Sequence, residues 1–535
     1  MCSSDLTQHE ISKCIKKLKN KKSSGIDRII PEMLKYSQHI LLPNIEKLFN
    51  YILTSGKYPD KWLCGYIIPI HKKGEITDPC NYRGITITSC LGKLFNMIIN
   101  ERLLNYFKTK NIIGNNQIGF TKGSRTTDHI FVLHTLINKY MAKGEKIYAC
   151  FVDLKKAFDS ANRLKLLVKL KTTGIGSLAY NIIKNMYTAS KGNLCVKIGN
   201  TMTNSFKSEV GLYQGDVLSP LLFNLYINDL TECLDMSCEP VELNNNPLSC
   251  LMYADDIVLL SKSEHGLQRA MDKLNNYCNT WDLKVNTDKT KVVVFNKGGK
   301  VCKTNIIYDD HKIECEQSYK YLGVLLAANG TLTKTKIDLS KRGQKAIFKL
   351  KTMFKQASIG FATSMHLFDH IIKPILLYGS DIWGYTLLKK GHIQLNQLAK
   401  DDIETCHIRY CRFALSVSKK APNIGIYGET GRYPLAIDSI LNTIKYWHRL
   451  QNLHESTLIH QAFNEMKHLN LENSWYGTVQ STRSNIRCDM AVKHAIKSIK
   501  TELRGQFLDF WKNKLFDDTN KAGGNKLRRD RKSVV

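Results

Sequence analysis

Two adjacent carboxylates, Asp255 and Asp256, interrupt an otherwise apolar, β-prone stretch that runs from Leu248 to Leu260. Each apolar flank is too short for an ordinary helix, so the Ala254-Asp-Asp sequence between them predicts the tight turn of a β-hairpin. Two like charges at one turn repel each other, and Mg²⁺, which prefers hard oxygen ligands, would relieve that repulsion. By itself the pair is also typical of a solvated turn, because aspartate is a common turn residue.

A second apolar strand also ends in a carboxylate. The run Ile147–Asp153 is followed directly by a helical pattern, so Asp153 is predicted to lie at the end of a strand. If that strand and the hairpin are neighbours in one sheet, Asp153, Asp255 and Asp256 meet at the same end. Three converging carboxylates predict a catalytic metal site.

The order of elements around these residues predicts how the carboxylates are brought together. The predicted elements are a strand ending at Asp153, a helix over 156–171 with Gly174 as its stop, a hairpin over 248–261, a helix over 267–281 and a strand over 291–295. This β-α-β-β-α-β order is that of a split βαβ unit, an antiparallel sheet with helices on one face. In that topology the first strand lies beside the hairpin.

The remaining elements are predicted with less bearing on the acidic site. They are an amphipathic helix that starts at a Thr7–Glu10 capping box and ends near Gly25, β-like runs over 66–70 and 84–88, a helix over 91–108, a β-ribbon over 194–198 and 205–210, a helix with Ser219 as N-cap and Pro220 as first residue, a hairpin over 319–326, and basic helical regions to about 420 and to about 516. The end of the chain, Lys526–Lys532, is predicted to be a frayed basic tail.

Length and charge limit the class of protein. The chain has 535 residues, 43% of them hydrophobic, which predicts several globular domains. Its 78 Lys and Arg against 47 Asp and Glu give a net charge of +31. That excess favours a polyanionic partner such as nucleic acid, and it leaves open a ribosome-like or membrane-surface protein.

The sequence contains no predicted membrane segment or secretion signal. No stretch approaches the roughly 18 to 20 apolar residues of a membrane span, and the polar opening Met1–Glu10 is unlike a signal peptide. We therefore expect an intracellular, soluble protein of the nucleus or cytoplasm with no membrane partner.

Cysteine usage predicts neither disulfides nor zinc. The 16 cysteines form no C-x-x-C pairs, which indicates reduced thiols rather than a disulfide framework. The segment Cys406–Cys411 lacks a second ligand pair, so we expect no structural zinc there.

Beyond these patterns, the chain carries an ordered series of motifs that resembles the reverse transcriptases of non-LTR (LINE-like) retrotransposons. The resemblance covers roughly residues 20 to 330, and more loosely Pro422 to Pro434. The motifs are Asn81-Tyr-Arg83-Gly-Ile, Asn116-Gln117-Ile-Gly-Phe120, Gly123-Ser-Arg125, Phe151-Val-Asp153 to Phe158-Asp159, Gln214-Gly215 to Ser219-Pro220, Tyr253-Ala-Asp255-Asp256, Asn286 to Lys289-Thr-Lys291, and Tyr321-Leu-Gly323.

The resemblance implies an RNA-directed DNA polymerase that extends a primer 3′-hydroxyl with dNTPs by two-metal phosphoryl transfer. Two Mg²⁺ ions, with Mn²⁺ as a possible substitute, would be held by Asp153 and Asp255 with Asp256 adjacent. Lys289 would donate a proton to pyrophosphate, although it is also typical of a solvent-facing lysine. Asp159 is expected to cap or pair with another group and is left out of the catalytic set.

The resemblance also implies contacts to the nucleotide and the primer. Phe158 would crowd the sugar 2′ position and favour deoxynucleotides; its alternative is an ordinary buried helix aromatic. For Lys72 and Lys73 the alternative is that they are ordinary solvated charges of a loop. The expected nucleotide-binding residues are Lys72, Lys73, Arg83, Phe158, Gln214 and Gly215, and the expected primer grip is Tyr321, Leu322 and Gly323.

The fold implied is an α+β multidomain right-hand polymerase with fingers, a ferredoxin-like antiparallel palm and a helical thumb. The expected domains are an N-terminal helical extension (1–57), a reverse transcriptase domain (58–327, with fingers 58–145 and palm 146–327), a helical thumb-like region (328–440) and a helical C-terminal extension with a basic tail (441–535).

Expected partners are an RNA template, a DNA primer and dNTPs, while the oligomeric state is not predicted. Fewer than 30 residues precede the stretch, starting at roughly residue 20, that resembles the family, and the family's Cys/His knuckle is not found. We therefore expect a truncated or domain-scale product whose endonuclease, if used, is supplied in trans. The alternatives are another palm polymerase, such as an RNA-dependent RNA polymerase or a group II intron maturase, and a catalytically silent nucleic-acid-binding remnant.

Overall fold

A computed structural model describes residues 5–188, 193–356, 359–389, 392–469, 471–485 and 492–521. The predicted tail Lys526–Lys532 lies outside the described residues. In the part that is described, no helix is long and apolar enough to cross a membrane.

The helices are distributed along the whole described chain. In the first half they are α1 (Gln8–Lys17), α2 (Pro31–Tyr36), α3 (Gln38–Ser55), α4 (Asp60–Leu63), α5 (Cys90–Thr109), α6 (Thr126–Ala142), α7 (Ala157–Ser160), α8 (Arg163–Thr172), α9 (Ser177–Thr188), α10 (Ser219–Ile227), α11 (Leu230–Cys233) and α12 (Glu264–Trp281). In the second half they are α13 (Thr333–Gln356), α14 (Phe361–Leu367), α15 (Lys373–Leu376), α16 (Ser380–Trp383), α17 (Asp402–Ala414), α18 (Asn423–Thr430), α19 (Leu435–Gln451), α20 (Leu458–Leu469), α21 (Trp475–Asn485) and α22 (Val492–Lys521).

The strands cluster between the first helices and α13, with one later hairpin. Those before the central acidic hairpin are β1 (Gly65–His71), β2 (Tyr82–Ile87), β3 (Ile147–Asp153), β4 (Asn193–Ile198), β5 (Thr201–Met202), β6 (Phe206–Lys207), β7 (Val241–Leu243) and β8 (Asn246–Leu248). The others are β9 (Cys250–Tyr253), β10 (Asp256–Ser261), β11 (Lys291–Phe295), β12 (Ile307–Tyr308), β13 (His311–Lys312), β14 (Glu314–Cys315), β15 (Ser318–Tyr321), β16 (Val324–Ala327), β17 (Leu388–Lys389) and β18 (His392–Ile393).

The central sheet has the strand order that the sequence predicts. It runs β14-β11-β3-β10-β9, with antiparallel pairing from β11 through β9 and the short β14 parallel to β11. Numbered by chain order, its four main strands are arranged 4-1-3-2, the order of a split βαβ unit. The first strand, β3, therefore lies between β10 and β11.

Both faces of the central sheet are buried, so the prediction of helices on one face is wrong. Alternate β3 residues enter two different apolar clusters: Ala149 and Phe151 one, Cys150 and Val152 the other. The second cluster includes residues of α8, α10 and α12, whereas the first includes residues of α6, the β15–β16 hairpin and α13. The cause is that β3 is apolar at consecutive positions instead of alternate ones.

The helix predicted over 156–171 is divided at Ala161 into α7 and α8. Asn162 begins the second helix, and its side chain accepts hydrogen bonds from the backbone N–H groups of Leu164 and Lys165. Asparagine favours this capping position over a helix interior, which explains the break. The predicted stop is confirmed, since α8 ends just before Gly174, which has a positive φ of 71°.

Two other predicted helix ends differ from the structure. The Thr7–Glu10 capping box of α1 is confirmed, but the helix ends at Lys17 instead of near Gly25. Ser219 is the first residue of α10 and not its N-cap, because its hydroxyl donates to the Tyr213 carbonyl at 2.7 Å.

A second sheet is formed by β1 and β2, which precede the central sheet in the chain, together with β4, β5 and β6. β1 pairs antiparallel with β2 and parallel with β4, and β4 also pairs with β5 and β6. The predicted β-like runs over 66–70 and 84–88 and the β-ribbon are thus strands of one sheet. The hairpin predicted over 319–326 is β15–β16.

The C-terminal helices share an apolar cluster with the central sheet. That cluster extends from β3 through α13, α17 and α19 to Phe507 on α22. A buried ion pair also joins α19 to the start of α6: Arg449 contacts both carboxylate oxygens of Asp128, at 2.7 and 2.9 Å, and the Tyr446 hydroxyl donates to the same carboxylate.

Candidate active site

Asp153 and Asp256 face each other across two neighbouring strands. β3 and β10 are antiparallel, and their register pairs the Cα atoms of these two residues. Asp153 ends β3 and Asp256 begins β10, so both lie at the same end of the sheet. Asp255 immediately precedes Asp256 in the turn from β9, which brings the three carboxylates together as the sequence predicts.

The turn that carries Asp255 is tight and has unusual backbone geometry. Tyr253 pairs with Asp256, so Ala254 and Asp255 are the two central residues of the hairpin turn. Ala254 has a positive φ of 54°, in the region that hairpin turns usually reserve for Gly, Asn or Asp. Such strain in a non-glycine residue is typical of functional sites.

The carboxylates repel one another. The pKa of Asp256 is raised to about 6, because the protein desolvates the carboxyl group and because Asp255 and Asp153 carry like charge. The pKa of Asp255 is also raised, by desolvation and by Asp153. A cation bound among these groups would oppose both effects.

The side chains of Asp153 and Lys289 are in contact, with 3.3 Å between Nζ and a carboxylate oxygen. The backbone of Asp153 is held by the segment that carries this lysine: its N–H donates to the Thr290 hydroxyl, and its carbonyl accepts from the Asn286 N–H. Lys291, two residues further on, instead pairs with Glu314. Within the described residues, no group of three His, Cys, Asp or Glu side chains is arranged to hold a metal ion.

Two of the predicted basic residues act electrostatically on Asp255. Arg83 lies on β2 opposite Ile70, and Lys72 follows β1. Both oppose the rise in the pKa of Asp255, so their charges lie close enough to act on that carboxylate. Lys73 lies exposed in the connector one residue beyond Lys72.

Phe158 lies in a small aromatic group beside the acidic residues. Its ring stacks on Phe223 at 4.5 Å and meets the edge of Phe120 at 6.4 Å. Phe120 is 56% exposed and has a positive φ of 57°. Phe120 gives this group an exposed aromatic surface, while Phe158 is half-buried and packs against the apolar cluster that contains Phe223.

Gln214 and Gly215 attach their loop to both neighbouring elements. The Gln214 side chain donates to Asp159 at 2.6 Å, and its carbonyl accepts from the Thr86 N–H of β2 at 2.7 Å. Gly215 has a φ of +107°, and a Cβ there would lie 2.9 Å from the Thr86 carbonyl oxygen. Glycine is therefore required at this position, and Asp159 is paired as expected.

The segment Tyr321–Gly323 forms the turn of the β15–β16 hairpin, which packs on β3 near the acidic site. Tyr321 is buried with its ring 5.6 Å from that of Phe151, two residues before Asp153. Leu322 and Gly323 both have positive φ, and the Tyr378 hydroxyl donates to the Leu322 carbonyl. The structure thus places this hairpin against Phe151, on the face of β3 that also carries Asp153.

A second hairpin in the structure also carries two adjacent aspartates in its turn, but it lies outside the central sheet. Asp309 and Asp310 also follow a tyrosine, and they form the turn between β12 and β13. This two-stranded hairpin is exposed at its tip and lies outside the central sheet. What distinguishes Asp255 and Asp256 is the third carboxylate across the register.

The segment Cys406–Cys411 contains a buried histidine with a side-chain partner. His407 Nδ1 lies 2.7 Å from Glu404, and its Nε2 accepts from Arg432 at 3.2 Å. Among the described residues, this segment is not part of any group of three His, Cys, Asp or Glu side chains that could bind a metal ion.

The family model for reverse transcriptases (RNA-dependent DNA polymerases) matches residues 70–326, the interval that contains every one of these predicted site residues. Residues 70–326 are therefore similar to a reverse transcriptase domain. The predicted resemblance to non-LTR retrotransposon reverse transcriptases is confirmed.

Relatives of the reverse transcriptase domain come from mobile elements. The chain is 28% identical over 386 residues to the probable RNA-directed DNA polymerase from transposon BS of Drosophila melanogaster, covering 70% of this chain and 42% of the relative. It is 25% identical to the RNA-directed DNA polymerase from mobile element jockey of the same species, covering 73% and 42%. The chain spans less than half the length of these relatives.

Among solved structures, apo telomerase from Candida tropicalis is similar with a TM-score of 0.37 and 14% identity, covering 58% of this chain and 62% of that one.

Some residues that shape the reverse transcriptase site have no role assigned from the sequence. Gln117 bonds to the backbone of Ala254, and Thr290 to that of Asp153. Tyr319 stacks on Phe151 at 4.3 Å. Gln117 and Thr290 lie within motifs that the sequence showed, and that was the available signal; Tyr319 lies outside them.

Proposed function

We propose that the protein is an RNA-directed DNA polymerase that extends a DNA primer on an RNA template with dNTPs. The observation that carries this proposal is the register of β3 and β10, which sets Asp153 opposite Asp256 with Asp255 in the adjoining turn. The match of residues 70–326 to the reverse transcriptase family supports the same activity.

The carboxylates are proposed to hold two divalent cations, Mg²⁺ or Mn²⁺. Their oxygen chemistry fits hard cations, and the pKa values of Asp255 and Asp256 are raised by burial and by like charge, both of which a bound cation would oppose. When bound, such ions lower the pKa of the primer 3′-hydroxyl and neutralise charge on the transferring phosphoryl group. Asp153 and Asp255 are the proposed ligands, with Asp256 beside them.

The basic residues are proposed to receive the triphosphate. Arg83 and Lys72 project positive charge toward Asp255 from the second sheet, so a phosphate chain placed between them and the carboxylates would be bound from both sides. Lys73 is proposed to add charge at the entrance. Lys289, already beside Asp153, is proposed to protonate the departing pyrophosphate.

The aromatic and loop residues are proposed to select the nucleotide. Phe158 would occupy space next to the sugar 2′ position and exclude ribonucleotides. Gln214 and Gly215 would line the nascent base pair, and their attachment to Thr86 places them beside the strand that carries Arg83. The turn Tyr321–Gly323 would contact the primer end as a grip.

In this proposal the chain follows the right-hand polymerase plan. Fingers (58–145) and palm (146–327) form the reverse transcriptase domain, α13 begins a thumb-like region (328–440), and the remaining helices belong to an extension (441–535) that follows it. An N-terminal helical extension (1–57) precedes them.

Primer extension tests the activity directly. A 5′-labelled DNA primer annealed to RNA is incubated with the protein, Mg²⁺ and dNTPs, and the products are resolved by length. We expect extension by the parent protein and none by Asp255→Ala. The matched control is Asp309→Ala, which removes an aspartate from the Tyr308-Asp-Asp turn between β12 and β13 and is expected to leave extension unchanged.

The outcomes separate the competing functions. Extension with rNTPs in preference to dNTPs would indicate an RNA polymerase. RNA binding without extension by any nucleotide would indicate a binding protein, and extension that persists in Asp255→Ala would reject the assigned site. Binding of the primer-template is expected to weaken steeply as salt rises, because it releases phosphate counterions.

A further inference from the structure

Residues Asn116–Phe120 lie along the outer strand of the acidic hairpin. The Met252 N–H donates to the Asn116 carbonyl at 2.8 Å, and the Ile118 N–H donates to the Met252 carbonyl at 3.1 Å. Gln117 therefore bridges to Met252 in parallel register. This segment, which we term the hairpin brace (116–120), extends the sheet edge beside the turn that carries Asp255.

Within the hairpin brace, the Gln117 side chain bonds to both backbone polar groups of one residue. Its Oε1 accepts from the Ala254 N–H at 2.9 Å, and its Nε2 donates to the Ala254 carbonyl at 3.2 Å. The same Oε1 accepts from the Gly119 N–H at 2.8 Å. Gln117 is 2% exposed, so these bonds do not compete with water.

Ala254 needs such a partner because the hairpin itself leaves its N–H and carbonyl without strand partners. The residue is buried, and a buried donor without a partner is destabilising because it has lost its bond to water. Its positive φ adds strain, since left-handed geometry brings the Cβ of an alanine too close to the following carbonyl oxygen. The two bonds from Gln117 offset these costs and fix both peptide planes that flank Ala254.

The hairpin brace is itself fixed on its far side. Asn224 donates to the Gly119 carbonyl at 2.6 Å, and His129 Nε2 lies within 3.0 Å of the Asn116 and Met252 carbonyls. A Cβ at Gly119 would lie 2.2 Å from the Ala254 nitrogen, so brace and turn are in close backbone contact. The turn therefore has little room to move.

We propose that Gln117 is a positioning residue for Asp255. The peptide plane that follows Ala254 carries the nitrogen of Asp255, so the clamp sets the direction in which that carboxylate points toward Asp153. The inference rests on the proposed polymerase function for its catalytic consequence. Its structural part, control of the Ala254 turn, is measurable without activity.

The test compares Gln117→Met, which keeps length but removes both bonds, with Asn50→Leu. Asn50 makes the same clamp elsewhere: its amide accepts from the Leu6 N–H and donates to the Leu6 carbonyl. Hydrogen exchange of the Ala254 amide, Mn²⁺ binding by electron paramagnetic resonance, and kcat and KM for dNTP are measured for each folded protein. Gln117→Glu is a second variant, which retains an acceptor for the Ala254 N–H.

For Gln117→Met we expect exchange at Ala254 about tenfold faster, because one protecting bond is worth about 1.4 kcal/mol. We expect weaker Mn²⁺ binding and a kcat lower by up to about a hundredfold with KM for dNTP little changed, since displacements near 1 Å have that effect on chemistry. Gln117→Glu should preserve most of the exchange protection, and Asn50→Leu should change none of these quantities at the site.

Normal Ala254 exchange and normal kcat in Gln117→Met would overturn the proposal, as would equal losses in Asn50→Leu. If the parent protein extends no primer, the proposed function fails, while exchange and Mn²⁺ binding still decide whether Gln117 positions the turn. If exchange accelerates but Mn²⁺ affinity and kcat are unchanged, the clamp is structural only and the positioning role is rejected.

Discussion

The ion pair between Arg449 and Asp128 should be among the strongest single links between the C-terminal helices and the reverse transcriptase domain. Arg449 contacts both oxygens of the carboxylate, and the two side chains are only 18% and 4% exposed. Arg449→Met keeps the aliphatic stem and removes the charge. The buried carboxylate of Asp128 then retains only the Tyr446 hydroxyl and the Arg125 N–H.

Removing one partner of a buried ion pair costs about 3 to 5 kcal/mol, because the other charge stays buried without compensation. We expect Arg449→Met to lower the free energy of unfolding by that amount, measured by urea denaturation with tryptophan fluorescence. Asp128→Asn combined with Arg449→Met should recover part of the loss, since no charge is then left buried.

Lys320→Met is the control for this prediction. Its partner is Asp338 in a partly exposed pair, and Asp338 keeps Arg342 as a second partner, so the expected cost is about 0 to 1 kcal/mol. The reasoning is refuted if Arg449→Met costs no more than Lys320→Met, or if the double variant is less stable than Arg449→Met alone.

Three further results are expected. Phe158→Val should reduce the preference for dNTPs over rNTPs by about tenfold or more in single-nucleotide incorporation, because side-chain bulk would no longer exclude the 2′-hydroxyl; an unchanged ratio would place the discrimination elsewhere. Gly215→Ala should lower the free energy of unfolding by about 1 to 3 kcal/mol, because the added Cβ would sit at a positive φ and too close to the Thr86 carbonyl oxygen. Urea denaturation measures the loss, and Gly176→Ala is the control, since a Cβ there meets no neighbouring atom. Burial lowers the pKa of His129 to about 4, so between pH 6.5 and 4 the imidazole is protonated in the unfolded chain but not in the folded one, and stability should fall as pH drops through that range. Urea midpoints should depend less on pH in His129→Gln than in the parent protein. An equal pH dependence in the two proteins would contradict the role of His129.

The central sheet and its acidic end were predictable because both follow from chain order and periodicity. Each of the four strands is marked by an apolar run, and the split βαβ order then requires β3 to lie beside β10. Asp153 therefore meets Asp256 without any knowledge of side-chain packing. Burial on both faces was also encoded, since Ala149 to Val152 are consecutive apolar residues.

Other features depend on contacts that leave no periodic trace. The Gln117 clamp joins residues 137 positions apart through a single amide, and a glutamine within a turn-rich segment predicts no particular partner. The break at Ala161 depended on a capping preference that competes with a continuous helical pattern. Lys72 and Lys73 are alike in the sequence, and only the placement of β1 relative to the hairpin distinguishes them.

The apolar cluster on one face of the central sheet ends far beyond the interval that matches the reverse transcriptase family. Side chains of Phe151 and Val258 share it with Ile440 and Phe507. Ending the chain after β16 would expose a large apolar surface on the face of the central sheet that the C-terminal helices cover, and exposed apolar surfaces promote self-association. The interval that the family model matches is thus shorter than the segment needed for a stable, soluble polypeptide.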